Sequence, residues 1–268
     1  MSRYGLPTRL ILSGIPLLAG LLAAVAPVWA ADYPACSRAH YDTQASVRYV
    51  IDGDTVILTD SRKIRLIGID TPELGHDGNP DQPYARQARD YLIKLLHTQH
   101  ERLYLVYDQE RHDKYGRTLA HLFLPDGTNV EALILARGLA TPLVIPPNLG
   151  YLDCYQEQAQ TAIDHHTGIW QLTQYQPRPV TALTGTERGY RVIRGKITHI
   201  GHSRTSVWLD MGRTLGLRIV KTDLQYFAKL DIDSLAGRTV QARGMLYRRN
   251  GQFRIRLRHP VNLRVLGD

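Results

Sequence analysis

Residues 50–70, VIDGDTVILTDSRKIRLIGID, constrain the fold more than any other stretch of this chain. Two runs rich in β-branched residues, 55–58 and 64–69, flank a polar segment at 59–63. Branched side chains pack well on a pleated surface, so two such runs joined by a short polar turn predict a hairpin. Residues 46–51 alternate loosely and supply a strand before it, and Asp52-Gly53 marks a tight turn or bulge between them. Further strands are expected at 103–107 and 119–124. Helical spacing appears at 83–97, where Tyr84, Ala88, Tyr91, Leu92 and Leu95 form one stripe. Asn129 is placed to cap a helix over 130–137 that Gly138 ends, and 152–166 reads as another helix.

Residues 174–189 lack periodicity and carry Pro177, Pro179 and Gly185, which predicts a linker. Beyond it come five short strands, at 191–199, 206–211, 215–220, 239–247 and 253–258, with a short helix at 223–230 between the third and fourth. That order suits a small OB-like barrel. The expected fold is therefore mainly β with helices (α+β). The expected organisation is a signal peptide at 1–30, a first domain at 31–173, the linker at 174–189 and a basic accessory domain at 190–268.

The amino terminus has a basic start, Arg3 and Arg9, then an apolar run over 10–25 and small residues before Ala31, the pattern of a secretory signal. An uncleaved anchor is the other reading of this run. Export to the periplasm or outside the cell, with no stable membrane association after signal removal, is the expectation. An oxidising compartment favours a disulfide between the two cysteines, Cys36 and Cys154, with two free buried thiols as the alternative. Neither cysteine lies in a pattern that suggests catalysis by sulfur.

Charge divides along the chain. Residues 31–184 hold 14 Lys and Arg against 19 Asp and Glu, a net −5, whereas residues 185–268 hold 17 against 6, a net +11. A strongly basic segment points to a polyanion as partner. Within it, YRRNGQFRIRLRH places Phe253, Ile255 and Leu257 on one face of a strand and Arg254, Arg256 and Arg258 on the other, with Arg248 and Arg249 near the turn. Such a row can follow a phosphate backbone, or it can be an ordinary solvated face.

Chemistry concentrates at the end of the hairpin. With a turn centred near residue 62, Asp54 and Asp70 face each other, and two opposed like charges are destabilising unless a cation lies between them. Oxygen donors without nearby Cys or His favour a hard ion, Ca²⁺ or Mg²⁺. Pro72 biases Thr71 toward an extended backbone, which can turn its carbonyl to the same ion, and Glu73 is close enough to orient a water there. Asp52-Gly53-Asp54 is also a plain turn, and residues 70–73 are also an acidic helix start. Arg65 and Asp70 are five residues apart, so a regular strand sends them to opposite faces. A shared site requires a bend, with Gly68 as the candidate. Arg117 follows a Tyr115-Gly116 turn.

The segments VIDGDTVIL, IRLIGIDTPE and DKYGRTLA, in this order, resemble the staphylococcal nuclease (thermonuclease) family, and VEALILARGLA and a terminal GIW extend the likeness over residues 46–170. The resemblance implies an OB-type five-stranded barrel and Ca²⁺-dependent hydrolysis of DNA and RNA to 3′-phosphate products. It implies that Asp54, Asp70 and the Thr71 carbonyl bind Ca²⁺, that Glu73 is the general base, and that Arg65 and Arg117 clamp the phosphate. Lys114 and Tyr115 match residues beside the terminal phosphate of the substrate. The family usually has tyrosines after GLA that pack on base and sugar; here the stretch is TPLVIPPNLG, without an aromatic residue. The competing expectation is a catalytically weak or inactive nucleic-acid-binding protein built from two OB-type barrels. No protein partner is evident.

Overall fold

The computed structural model describes residues 1, 36–37 and 40–267. Apart from Met1, the segment expected to be a signal peptide lies outside the described residues. Among the described residues no helix is long and apolar enough to cross a membrane.

The first unit contains β1 (Thr43–Val50), β2 (Thr55–Leu58), β3 (Lys63–Leu66), β4 (Ile69–Asp70), α1 (Ala85–His97), β5 (Arg102–Val106), β6 (Thr118–Phe123), α2 (Val130–Ala136), β7 (Thr141–Pro142) and α3 (Leu152–Asp164). Five strands close a barrel in the order β1-β2-β3-β6-β5. Strand β1 serves two neighbours: its first half pairs with β5 and its second half with β2, across a bulge between Val47 and Tyr49. The short strands β4 and β7 pair with each other beside the barrel. Of the expected α1 stripe, Ala88, Leu92 and Leu95 are buried against the barrel core together with Leu96, whereas Tyr91 and the capping Tyr84 are only partly buried. Asn129 caps α2 by accepting a 2.8 Å hydrogen bond from the Ala132 N–H. Such caps contribute about 1 kcal/mol. Cys36 and Cys154 form a disulfide that ties the segment before β1 to α3.

The second unit contains β8 (Pro177–Pro179), β9 (Gly189–Lys196), β10 (His199–His202), β11 (Ser206–Met211), β12 (Leu215–Val220), β13 (Thr239–Arg249), β14 (Gln252–Leu257) and β15 (Leu263–Val265). Its main path runs β10-β11-β12-β14-β13-β9. Only Ile197 and Thr198 separate β9 from β10; the Ile197 N–H goes to the Arg238 carbonyl and the Thr198 N–H to the Asp210 carbonyl. One continuous stretch thus hands over from β13 to β11, as β1 hands over from β5 to β2. The parallel pair β12/β14 likewise repeats β3/β6. The two units share one strand order. The helix expected at 223–230 is a 3-10 segment, Lys221–Phe227.

The segment expected as a linker is not featureless. Strand β8 runs parallel to β9, and 3-10 turns occupy Thr173–Tyr175 and Val180–Ala182. A small apolar cluster of Ala162, Ile169, Trp170 and Tyr175 accepts Tyr190 from the second unit. The Tyr190 ring lies 6.1 Å from Trp170 and 5.9 Å from Tyr175, centroid to centroid. This contact fixes how the second sheet leans over the first barrel.

Candidate active site

The hairpin register differs from the expected one. Thr55 faces Arg65 and Ile57 faces Lys63, so the turn centres on residue 60 and not 62. Lys63 belongs to the ladder, and a tight turn closes between Leu58 and Arg62, aided by the Asp60 side chain accepting from the Arg62 N–H. Asp54 therefore does not oppose Asp70 across the ladder. A break in the chain brings them together instead. Strand β3 stops at Leu66, Gly68 takes φ +87°, and β4 restarts in a new direction. A Cβ at Gly68 would stand 2.3 Å from the Tyr155 ring, so both the conformation and the close approach require glycine. Gly53 is also a point of close approach: a Cβ there would lie 2.6 Å from Ala88 and 2.7 Å from Thr71.

Past the bend, the Asp54 carboxylate receives the Thr71 N–H at 2.8 Å and the Thr71 hydroxyl at 3.0 Å. Arg65 is buried, at 8% exposure, and is held on every side. Its Nη1 donates to the carbonyls of Leu66 (2.7 Å) and Ile69 (2.8 Å). Its Nη2 donates to Asp70 at 2.9 Å, and its Nε lies 3.1 Å from Asp54. The bend at Gly68 is what lets Arg65 and Asp70 meet.

Negative charge exceeds positive charge here. Burial pushes the Asp70 carboxyl up to about 6, opposed by Arg65 and assisted by Asp54 and Glu73. Burial and Asp54 push Asp52 up to about 6. Glu73 is also raised, by burial and then Asp54, with Arg65 and Arg117 pulling the other way. Carboxylates that resist ionisation because they are buried and face one another gain when a cation joins them. The donors, Asp54, Asp70 and the Thr71 carbonyl, are all oxygen, and this set fits a hard divalent ion. Among the described residues no group of three or more His, Cys, Asp or Glu side chains is placed to hold a metal ion, this site included, so an ion here would rest on two carboxylates, the main chain and water.

Arg117 approaches from the loop before β6. Asp113 builds that loop: it accepts from the Tyr115 and Arg117 N–H groups at 2.9 Å each and holds Arg117 Nε at 2.6 Å. Arg117 is thereby aimed at the cleft while its guanidinium stays partly exposed. Lys114, Tyr115 and Arg117 share with Arg65 a cavity of about 340 Å³. Asp70, Thr71 and Glu73 line another of about 250 Å³, joined to the first through a space lined by Leu143, Ile145 and Asp70. The structure thus gathers residues 54, 65, 70, 71, 73 and 117 around one region, with Lys114 and Tyr115 at its rim.

Tyr155, His121 and Glu131 support this region from behind. The Tyr155 hydroxyl contacts His121 Nδ1 at 2.8 Å, and Glu131 accepts the Leu122 N–H with both carboxylate oxygens, at 3.0 and 3.2 Å. Sequence reasoning assigned no role to Asp52, Asp113 or this group. For Asp113 a signal was present, since an aspartate opening a Gly-containing turn is an Asx-turn pattern.

The arginine row of the second unit is not uniform. Phe253, Ile255 and Leu257 are buried as expected. Of the alternate residues, Arg254 lies 4.8 Å over the Trp208 ring and Arg256 pairs with Asp223 at 2.8 Å. Arg258 lines the same 340 Å³ cavity as Arg65 and Arg117. Arg248 stands 5.8 Å over Phe253 and donates to the Gly185 carbonyl at 3.2 Å, and Arg249 is exposed.

Comparison with known proteins agrees with this geometry. Residues 63–172 match the family described as Staphylococcal nuclease homologue. The chain is 39% identical to the thermonuclease of Staphylococcus intermedius over 129 residues, 47% of this chain and 74% of the relative. It is 35% identical to the thermonuclease of Staphylococcus hyicus over 137 residues, 50% of this chain and 79% of the relative. It is 32% identical to the SPbeta prophage-derived endonuclease YokF of Bacillus subtilis (strain 168) over 162 residues, 58% of this chain and 51% of the relative.

Proposed function

Since the chain belongs to the staphylococcal nuclease homologue family, we propose that it is an exported, Ca²⁺-dependent nuclease that hydrolyses phosphodiester bonds of DNA and RNA and leaves 3′-phosphate ends. The observation that carries this reading is the convergence of Arg65, Glu73 and Arg117 on the oxygen donors Asp54 and Asp70. Export agrees with the Cys36–Cys154 disulfide.

Asp54, Asp70 and the Thr71 carbonyl would hold the ion. When bound, Ca²⁺ supplies a Lewis acid that neutralises charge on phosphoryl oxygens. Glu73 is the general base that takes the proton of the attacking water. Its exposed carboxyl, raised by burial of its surroundings and by Asp54, moves toward the range in which a base works best near neutral pH. Arg117 presents the outer edge of a guanidinium whose Nε is already fixed by Asp113. Arg65, anchored at Nη1 by two carbonyls, now turns Nε and Nη2 to Asp54 and Asp70, and that edge would meet the phosphate once a cation draws the two carboxylates. Two planar forks aimed at one phosphate neutralise the charge that grows on its oxygens in the transition state.

The test uses purified protein with single-stranded DNA, duplex DNA and RNA, with Ca²⁺ or a chelator, followed by analysis of product ends. Cleavage with Ca²⁺ and 3′-phosphate ends is expected. Glu73→Gln should lower turnover by about a hundredfold or more, the usual size of a lost general base, with the fold unchanged. Tight binding without turnover under all conditions would favour the alternative, a nucleic-acid-binding protein.

A further inference from the structure

Three adjoining spaces run along the seam between the two units. The first, of about 340 Å³, contains Arg65 and Arg117. The second, of about 280 Å³, shares Leu143, Ile145 and Arg258 with the first. The third, of about 250 Å³, shares Asp70, Tyr190 and Met245 with the second and ends at Arg188 and Arg191. Together they form one groove that passes the candidate active site.

The two walls of this groove differ in chemistry. The first barrel contributes the carboxylates Asp70 and Glu73 and the apolar loop residues Leu143, Val144 and Ile145. The second unit contributes Arg188, Arg191, Arg243 and Arg258 on one rim. Between those arginines it exposes apolar surface, with Met245 at 50% exposure facing a loop whose Ile145 is at 40%. Two of these arginines, Arg258 and Arg191, hold their charge against burial and a like charge. Burial and the adjacent Arg256 both act against the charge of Arg258, with Asp223 and Glu110 the carboxylates that face it. Asp223 is itself taken up by Arg256 at 2.8 Å. Burial likewise acts against the charge of Arg191, and Arg178 adds to that, against Glu187 and the Tyr175 hydroxyl. Guanidinium groups in this state gain from an added anion.

We propose that this groove is the path of an unpaired nucleic-acid strand, and that Arg258 and Arg243 of the second unit hold phosphates next to the one that is cleaved. The proposal rests on the nuclease reading above and adds the part played by the second barrel. Spaces of 250–340 Å³ lie at the lower end of small-molecule sites, which suits one nucleotide each and not a duplex. An alternation of cationic rim and apolar floor is what a single strand needs: phosphates follow the charge, and bases rest on apolar and aromatic side chains such as Tyr247 and Met245. The exposed Arg248 and Arg249 and the ring-stacked Arg254 lie outside these three linings.

The test compares wild-type protein, Arg243→Ala/Arg258→Ala, the double lysine variant at the same positions, and Arg213→Ala. Arg213 lies in the exposed β11–β12 turn and lines none of the three spaces. Substrates are a 12-nucleotide single strand, a hairpin duplex and a dinucleotide, with binding of the labelled 12-mer measured separately by fluorescence anisotropy in chelator. The double alanine variant should raise KM for the 12-mer about tenfold with kcat within about twofold, and should cost the dinucleotide clearly less than the 12-mer. Its log-log salt slope for 12-mer binding should fall by about 1.4, two contacts at about 0.7 each for single strands. The lysine variant should keep most of the slope, and Arg213→Ala should match wild type. Equal losses on dinucleotide and 12-mer, or a 12-mer affinity and salt slope equal to wild type, would overturn the proposal. If wild-type protein cleaves nothing, the nuclease reading fails, and the anisotropy arm alone still decides whether the groove binds a strand.

Discussion

Replacing Gly68 with alanine should damage both stability and turnover, and the structure sets the size of each effect. The new Cβ would lie 2.3 Å from Cδ2 and 2.4 Å from Cε2 of Tyr155. Carbon atoms rest at about 3.5 Å or more, so something must yield by about 1 Å. Tyr155 cannot, because it is 3% exposed and its hydroxyl is tied to His121 at 2.8 Å and Asn129 at 3.3 Å. The backbone at Gly68 must yield instead. A left-handed alanine costs about 1–2 kcal/mol, and overpacking adds about 1–3 kcal/mol. The expected loss, about 2–5 kcal/mol in all, is measured from urea unfolding curves. The catalytic effect is separate. The Gly68 carbonyl accepts from Leu143, and Ile69, one residue on, supplies a carbonyl to Arg65 while Asp70 supplies a carboxylate. A shift of about 1 Å in such groups costs about a hundredfold in rate. The rate is measured with saturating single-stranded DNA, well below the melting temperature of the variant. Tyr155→Ala removes the ring that the methyl strikes, so the double variant should lose less stability than the sum of the two single ones. An alanine variant within about 0.5 kcal/mol of wild type and with full turnover would show that the bend does not position Asp70 and Arg65.

Three further outcomes follow from the same geometry. Reduction, or Cys36→Ser, opens a loop of 118 residues and should lower stability by up to about 5 kcal/mol on the chain-entropy account; equal denaturation midpoints for oxidised and reduced protein would argue against it. Burial holds the His121 imidazole below the usual histidine range against the pull of Asp108. The unfolded chain therefore binds the proton first as pH falls below about 6.5, so stability drops with falling pH in that window. His121→Gln should flatten that part of the stability–pH curve, and an unchanged curve would count against the assignment. Asp113→Ala frees the Arg117 guanidinium and should lower kcat about tenfold to a hundredfold, the value of one hydrogen bond to a charged group. Asp113→Asn, which keeps the turn, should recover part of the loss, and steady-state kinetics on both variants decide the point.

Much of this arrangement was legible in the chain, and the exceptions have physical causes. Alternation, turn residues and capping located the longer strands and the helices of the first unit within a few residues, because each is a local preference, but the short strands β4, β7, β8 and β15 and the break between β9 and β10 carry no such signal. The three motifs that resemble thermonuclease identified Asp54, Arg65, Asp70, Glu73 and Arg117, which the fold does bring together. The register of the hairpin was not legible. Lys63 counts as a turn residue by polarity, yet it pairs with Ile57 because the Asp60 side chain closes the turn within fewer residues. The need for a bend between Arg65 and Asp70 could be deduced from strand periodicity. Its enforcement could not, because the Tyr155 ring that packs on Gly68 comes from α3, far along the sequence. For the same reason the arginines after Phe253 looked equivalent. Their fates diverge only through Trp208, Asp223 and the cleft of the first barrel, none of which is near in sequence.

A closed barrel and a sheet of the same strand order, with net charges of −5 and +11 over residues 31–184 and 185–268, answer a conflict built into the proposed chemistry. The proposed cation site rests on Asp54 and Asp70, and Asp52 and Glu73 add negative charge beside them. The same carboxylates repel the polyanion that must approach. Within the first barrel that conflict has only a local remedy, since Arg65 is consumed by Asp54 and Asp70 and Arg117 is steered by Asp113. On the proposed strand path the second unit would supply the attraction from outside, with Tyr190 packed on Trp170 and Tyr175 where the two units meet. Its field acts over a distance of about 8–10 Å at ordinary ionic strength. Added salt should therefore slow capture of long strands far more than hydrolysis of a dinucleotide, which touches only the charges at the site itself. A parallel decline of both rates with salt would mean that attraction resides in the first barrel alone.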